Sequence, residues 1–308
     1  MPRAVLTRAA IFAATLLIVG GCASAQVADA HVSSTTNVSA ENASAGPKYV
    51  ALGSSYASGP GGATRVGDPR CMRTVDNYPH QVADALGFSL TDATCSGSTT
   101  SEILEVSQWR HADHPQIDAV TADTRLVTIT TGGNDIDYIG RVVGQSCANL
   151  SADAIHELGI HGCRRGRRVA PEPSLSDYAE VELAMVEVVR AVRSRAPHAK
   201  IVLVDYAPLL DPDGNVCPNV PLTEAEGDET VRIFNSLTAA TARAAVESGA
   251  ELVPASKAGV GHDACSASQW IRGFELPVPY HPTAAGKTGV ADLVIAALRH
   301  TGATSESN

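Results

Sequence analysis

Four short apolar runs constrain this chain more than any other feature: residues 49–52, 126–130, 201–204 and 252–254. Each stops at turn-forming residues, as in "RLVTITTGGND" and "KIVLVDYAP". Continuous apolar runs of this length mark strands buried on both faces, the habit of a parallel sheet. A weaker fifth run lies near 88–90. Between the runs the apolar period lengthens to that of a helix. Val181, Met185, Val188, Val189 and Val192 recur at helical spacing within 177–195. Val231, Phe234, Leu237 and Ala245 do so within 223–248, and residues 284–300 read as a closing helix. Strand alternating with helix predicts an α/β fold on a central parallel sheet, whose sites form where the strands end.

The first residues stand outside that pattern. Arg3 and Arg8 precede a small apolar stretch at 9–21. It is short for a bilayer span and right for the core of an export signal. "VGGC" at 19–22 resembles a bacterial lipoprotein box, whose cysteine becomes acylated; "ASA" at 23–25 suits ordinary signal peptidase. Both readings make residues 1–25 a signal peptide and send the protein to the medium or the cell envelope. In the first, lipidated Cys22 is a membrane tether. Residues 26–47 lack a periodic apolar face and read as a flexible tether. The folded domain is expected over 48–300, with 301–308 as a disordered tail.

Cysteine usage agrees with export. Cys22 is lipidated or removed, which leaves Cys71, Cys95, Cys147, Cys163, Cys217 and Cys265. An even number in an exported chain suggests disulfides, whose connectivity sequence alone does not choose. No C-x-x-C pair is present, and "HGC" at 161–163 has no matching partners, so no metal site is expected. The formal charge of −10 argues against a general nucleic-acid binder. Residues 147–176 interrupt the strand–helix alternation and carry "RRGRR" at 164–168. They read as a solvated loop pinned by a disulfide, with a lid or an envelope anchor as the alternative.

The chemistry lies at the ends of the strands. "YVALGSSYASG" at 49–59 places Ser55 just past the first strand, where a following helix would aim backbone N–H groups at it. Ala57 breaks the G-x-S-x-G elbow. "CSGSTT" at 95–100 is a small-residue loop with Gly97 as its natural N–H donor. "TTGGND" at 130–135 brings Asn134 to the same crevice, and "YHPTAAGK" at 280–287 sets His281 just before a helix. Each alone reads as a turn, a cap or a loop histidine. Together they supply a nucleophile, two oxyanion donors and a base.

In that order the four blocks resemble the SGNH family, also called GDSL hydrolases, and most of all its secreted actinobacterial lipases and esterases. The resemblance covers essentially residues 48–300. It implies a three-layer α/β/α sandwich with a five-stranded parallel sheet, and Ser55, Gly97, Asn134 and His281 as the site. It also implies the pairs Cys71–Cys95, Cys147–Cys163 and Cys217–Cys265. Two residues depart from the family pattern. Ser54 stands where the name-giving block has Asp, a position thought to be structural. Val278 stands where most members carry an acid three residues before the histidine. Some secreted relatives use a main-chain carbonyl there, and that of Val278 is expected to serve here. Asp263, in "GHDACS", is the nearest replacement acid.

The implied reaction is cleavage of a carboxylic ester through an acyl-enzyme on Ser55, in a monomer acting on an ester or lipid without metal or cofactor. An acyltransferase using the same intermediate is a second reading. A binding protein that kept the fold and lost catalysis is a third.

Overall fold

The computed structural model describes residues 46–108, 114–159, 163 and 169–305, with side chains to 300. All five apolar runs are strands: β1 (Lys48–Gly53), β2 (Ser89–Asp92), β3 (Thr124–Thr130), β4 (Lys200–Val204) and β5 (Glu251–Val253). They form one parallel sheet in the order β2-β1-β3-β4-β5. The chain therefore leaves β1 toward one edge and returns to its other side at β3. That reversal opens a crevice at the carboxyl ends of β1 and β3.

Alternate strand residues face opposite layers. Tyr49, Ala51, Leu126, Val202 and Val204 join residues of the helices Tyr78–Leu86 and Ala284–Ser305 in one core. Val50, Leu52, Val127, Ile129, Ile201 and Leu203 join the helices Tyr138–Asn149, Leu175–Arg195 and Glu224–Ser248 in the other. Numbered in chain order with the short helices, the set is α1 (Ser55–Ser58), α2 (Tyr78–Leu86), α3 (Thr100–Leu104), α4 (Tyr138–Asn149), α5 (Ala152–Glu157), α6 (Leu175–Arg195), α7 (Glu224–Ser248), α8 (Ala255–Ala258) and α9 (Ala284–Ser305). Capping boxes start both α6, Ser174 with Asp177, and α7, Thr223 with Glu226. The result is the α/β/α sandwich that the resemblance implies.

Two boundaries differ from the sequence reading. Helix α9 runs to Ser305, past the expected end at residue 300. Gly302 costs a helix only about 1 kcal/mol relative to Ala and does not stop it. The stretch 147–176, read as a loop, begins inside α4 and contains α5. Glycines 140 and 144 blur the α4 pattern, yet Tyr138, Arg141, Val142, Gln145 and Ser146 share its buried face.

The disulfides are Cys71–Cys95, Cys147–Cys163 and Cys217–Cys265. Residues 1–45, on which the expected signal peptide, Cys22 and the expected tether fall, lie outside the described residues, as do the basic run 164–168 and residues 306–308. Among the described residues no helix is long and apolar enough to cross a membrane.

Candidate active site

Gly53 ends β1 at φ 134°, and a Cβ there would lie 2.2 Å from the Thr130 carbonyl oxygen. Glycine alone lets β1 run against β3 to its last residue. Ser54 follows as the N-cap of α1, its N–H donating to that same Thr130 carbonyl at 2.9 Å. Ser55 is then the first helical residue, held at the mouth of the crevice.

His281 reaches it from the far end of the chain. Its Nε2 lies 2.8 Å from Ser55 Oγ, and its Nδ1 lies 2.7 Å from the Pro279 carbonyl oxygen. A carbonyl can only accept, so Nδ1 carries the proton and Nε2 accepts from the Ser55 hydroxyl. Both residues are 8% exposed. Burial lowers the His281 pKa to about 4; the Pro279 bond opposes the shift, and the Arg272 charge adds to it. The imidazole is therefore neutral near pH 7, the form a base requires.

A left-handed turn presents this ring. Tyr280 sits at φ 59°, a costly conformation for a bulky residue. Its N–H donates to the Gly273 carbonyl at 3.2 Å, and its hydroxyl pairs with Ser146 Oγ at 2.5 Å. The Tyr56 hydroxyl donates to the Tyr280 carbonyl at 2.9 Å. The residue after Ser55 thus holds the residue before His281.

The other two blocks are tied to the same strand ends. The Cys95 N–H donates to the Gly53 carbonyl at 2.9 Å, and the Ser96 N–H to the Cys71 carbonyl at 3.0 Å. Gly97 follows at φ 88°. Among the described residues, the N–H groups of Ser55 and Gly97 have no acceptor. Asn134 Nδ2 donates to the Ser98 carbonyl at 2.8 Å. An amide nitrogen has two protons, so one remains. Gln116 stitches the blocks together: its Oε1 accepts from Gly53 N at 2.7 Å, and its Nε2 donates to Ser98 Oγ at 2.7 Å. The Asp135 carboxylate accepts from Thr100 N at 3.1 Å and Thr100 Oγ1 at 2.5 Å, which anchors the "GGND" turn to α3.

Residues 51–288 match the model of the GDSL-like Lipase/Acylhydrolase family. The chain belongs to that family. It is 35% identical over 263 residues to Lipase 2 of Streptomyces coelicolor, covering 79% of this chain and 83% of that protein. The extracellular lipase from Streptomyces rimosus superposes with a TM-score of 0.62 at 26% identity, over 81% of this chain and 98% of that one. Phospholipase A1 from Streptomyces albidoflavus NA297 gives a TM-score of 0.62 at 27% identity, over 82% and 98%. This GDSL-like protein is a carboxylic ester hydrolase.

One expectation about the hydrolase's site needs correction. The carbonyl that orients His281 belongs to Pro279, two residues before it, and not to Val278. The Tyr280 turn folds the chain back so that the nearer carbonyl meets Nδ1. Asp263 is occupied elsewhere, its carboxylate accepting from Cys265 N at 2.8 Å inside its own loop. Sequence reasoning passed over Tyr56, Tyr280 and Gln116. Their roles arise from contacts across the fold and leave no local pattern.

Proposed function

We propose that this hydrolase is an exported lipase or esterase that works through an acyl-enzyme on Ser55. The observation that carries the reading is the 2.8 Å contact between Ser55 Oγ and His281 Nε2, with the opposite ring nitrogen already committed to Pro279. As Oγ attacks the ester carbonyl carbon, its proton passes to Nε2. The carbonyl oxygen becomes an oxyanion, which the N–H groups of Ser55 and Gly97 and the second Asn134 N–H receive. The bond to the alcohol breaks, and the alkoxide takes the proton from His281. Water then gives its proton to the same nitrogen and attacks the acyl carbon, which frees the acid and restores Ser55.

Acylglycerol esters are the favoured substrates, because the similar proteins are lipases and one is a phospholipase A1. Export is supported by three disulfides and by the extracellular relative. On this reading residues 1–25 are the signal, residues 26–47 the tether and residues 48–300 the catalytic domain.

The test is a fluorophosphonate probe followed by peptide mapping. The wild type should be labelled at Ser55 and lose ester hydrolysis in step. Ser55→Ala should be unlabelled and inactive while folded, and Ser54→Ala should keep most activity. Reversed results would move the nucleophile to Ser54. A folded wild type that neither reacts nor hydrolyses would make the chain a binding protein.

A further inference from the structure

Strand β4 carries none of the four sequence blocks. Tyr206, two positions past its end, nevertheless meets two of the turns that carry them and reaches a third through one residue. It is 2% exposed. Its hydroxyl oxygen accepts from the N–H of Gly133, the residue before Asn134, at 3.0 Å. The approach is close: a Cβ on Gly133 would lie 2.8 Å from that oxygen, so the second glycine of "GGND" is what admits the phenol. The Tyr206 ring packs on Tyr56 with centroids 4.6 Å apart, and Tyr56 in turn holds the Tyr280 carbonyl before His281.

Ser54 stands on the other side of the same hydroxyl. It is the N-cap of α1, and a serine there ordinarily accepts from the first N–H groups of its helix. Ser54 makes no such side-chain bond. It is buried, and its side chain lies within hydrogen-bonding reach of the Tyr206 hydroxyl. Burial pushes the Tyr206 pKa up to about 12, against the opposing effect of Ser54 and Gly133, so the phenol keeps its proton. A phenol that accepts from Gly133 has that proton to give, and the uncommitted Ser54 Oγ is there to receive it. The departure at position 54 thereby acquires a role: a hydroxyl in place of the carboxylate meets the phenol without burying a charge.

We propose that Tyr206 is a positioning residue of the oxyanion hole, its hydroxyl locking the Gly133–Asn134 turn to the turn that carries Ser55. The Ser55 N–H and the second Asn134 N–H must converge on one oxygen, yet they come from the ends of two strands, β1 and β3. Gly132 and Gly133 have no side chains with which to anchor the second turn, and glycine leaves the backbone its widest freedom. Tyr206 restrains that turn from a third strand. The inference rests on the Ser55 acyl-enzyme reading above.

The test uses hexyl trifluoromethyl ketone. Ser55 Oγ adds to its carbonyl carbon, the hydroxyl proton passes to His281 and the ketone oxygen becomes an oxyanion in the hole. Tyr206→Phe keeps the ring and removes the acceptor of the Gly133 N–H. Its kcat on a neutral ester, per site labelled to completion by a fluorophosphonate, should fall by about tenfold, the size of one buried hydrogen bond. KM should hold, the acidic limb of kcat/KM should stay in place, and the ketone's inhibition constant should rise by the same factor as kcat falls. In an Asn134→Ala background, Tyr206→Phe should cost much less, because the donor it positions is gone. A lower melting temperature or fewer labelled sites, with kcat per site and the ketone constant unchanged, would make Tyr206 a packing residue and overturn the proposal. Equal losses in the two backgrounds would overturn it as well.

Should Tyr206→Phe fail to fold, a ring-fluorinated tyrosine placed at 206 decides. It keeps both hydrogen-bonding atoms and makes the oxygen a weaker acceptor. It should lower kcat per site and weaken the ketone by matching factors, and wild-type values of both overturn the proposal. A wild type that binds the ketone as tightly as its variants do removes this inference alone. A folded wild type that neither labels at Ser55 nor binds the ketone removes the Ser55 reading with it.

Discussion

The Nδ1 atom of His281 meets the Pro279 carbonyl oxygen at 2.7 Å, where a catalytic triad would place a carboxylate. A carbonyl fixes the tautomer as well as an acid does. It carries no full charge, so it stabilises the imidazolium less. Burial is then free to push the ring's pKa down to about 4. Two consequences follow for rate. Asp263→Asn should cost far less than the roughly 10⁴-fold loss seen when a triad aspartate becomes asparagine. The acidic limb of kcat/KM on a neutral ester should fall with an apparent pKa near 4, so activity at pH 5 should stay close to that at pH 7. A limb near the ordinary 6.5, or a loss of triad size at Asp263, would reveal an acid partner for the ring.

Tyr56 couples the two halves of the site through its bond to the Tyr280 carbonyl. Tyr56→Phe removes the donor, keeps the ring and leaves that carbonyl buried and unmet. The left-handed turn then loses a restraint on the ring it presents. We expect kcat per active site, counted by probe labelling, to fall by about tenfold, the size of one buried hydrogen bond. KM should change little, because Tyr56 is argued to position the histidine and not to hold substrate. A fall in melting temperature with kcat per labelled site unchanged would reduce Tyr56 to a packing residue.

Asn134 spends one amide proton on the Ser98 carbonyl and keeps one for an oxyanion. Asn134→Ala should lower kcat by about 10²–10³, the usual loss for one oxyanion donor. Asn134→Asp is the sharper comparison: it preserves size, replaces the donor by an acceptor and should be at least as damaging. A change confined to KM in both variants would make Asn134 a substrate-binding residue.

The sheet was legible because its strands are buried on both faces, so residues 49–52 and 126–130 announce themselves as unbroken apolar runs. The positions of Ser55 and Asn134 were legible for a related reason, since turn residues after such runs can only lie at the carboxyl edge. His281 had a proline and a helix start to mark it. Beyond that, local signals fail. Nothing in "PVPYHP" reveals that Tyr280 takes a left-handed conformation, and that single backbone choice decides whether Val278 or Pro279 faces the ring. Gln116 and Tyr56 acquire their meaning from neighbours 63 and 224 residues away, which only packing brings together.

The last prediction concerns stability against pH, where two buried groups of the crevice oppose each other. Between about 4 and the ordinary 6.5, an unfolded chain protonates His281 while the native one keeps it neutral. The unfolded state binds more protons in that window, so the His281 contribution makes stability rise with pH. Asp205 has the reverse sign. It is 4% exposed, and burial pushes its carboxyl up to about 6, although Ser256 N donates to it at 2.7 Å and Ser256 Oγ at 2.5 Å. Between its ordinary 3.8 and about 6 the native state holds the extra proton, so this contribution falls as pH rises. Over the shared window the two slopes offset one another in the wild type. Urea unfolding at a series of pH values should separate them. The stability of the wild type minus that of His281→Asn should increase from pH 4 to 6.5, and the wild type minus Asp205→Asn should decrease from pH 4 to 6. Parallel curves for wild type and His281→Asn would mean that the ring titrates alike in both states, and the neutral buried base on which the mechanism depends would have to be given up.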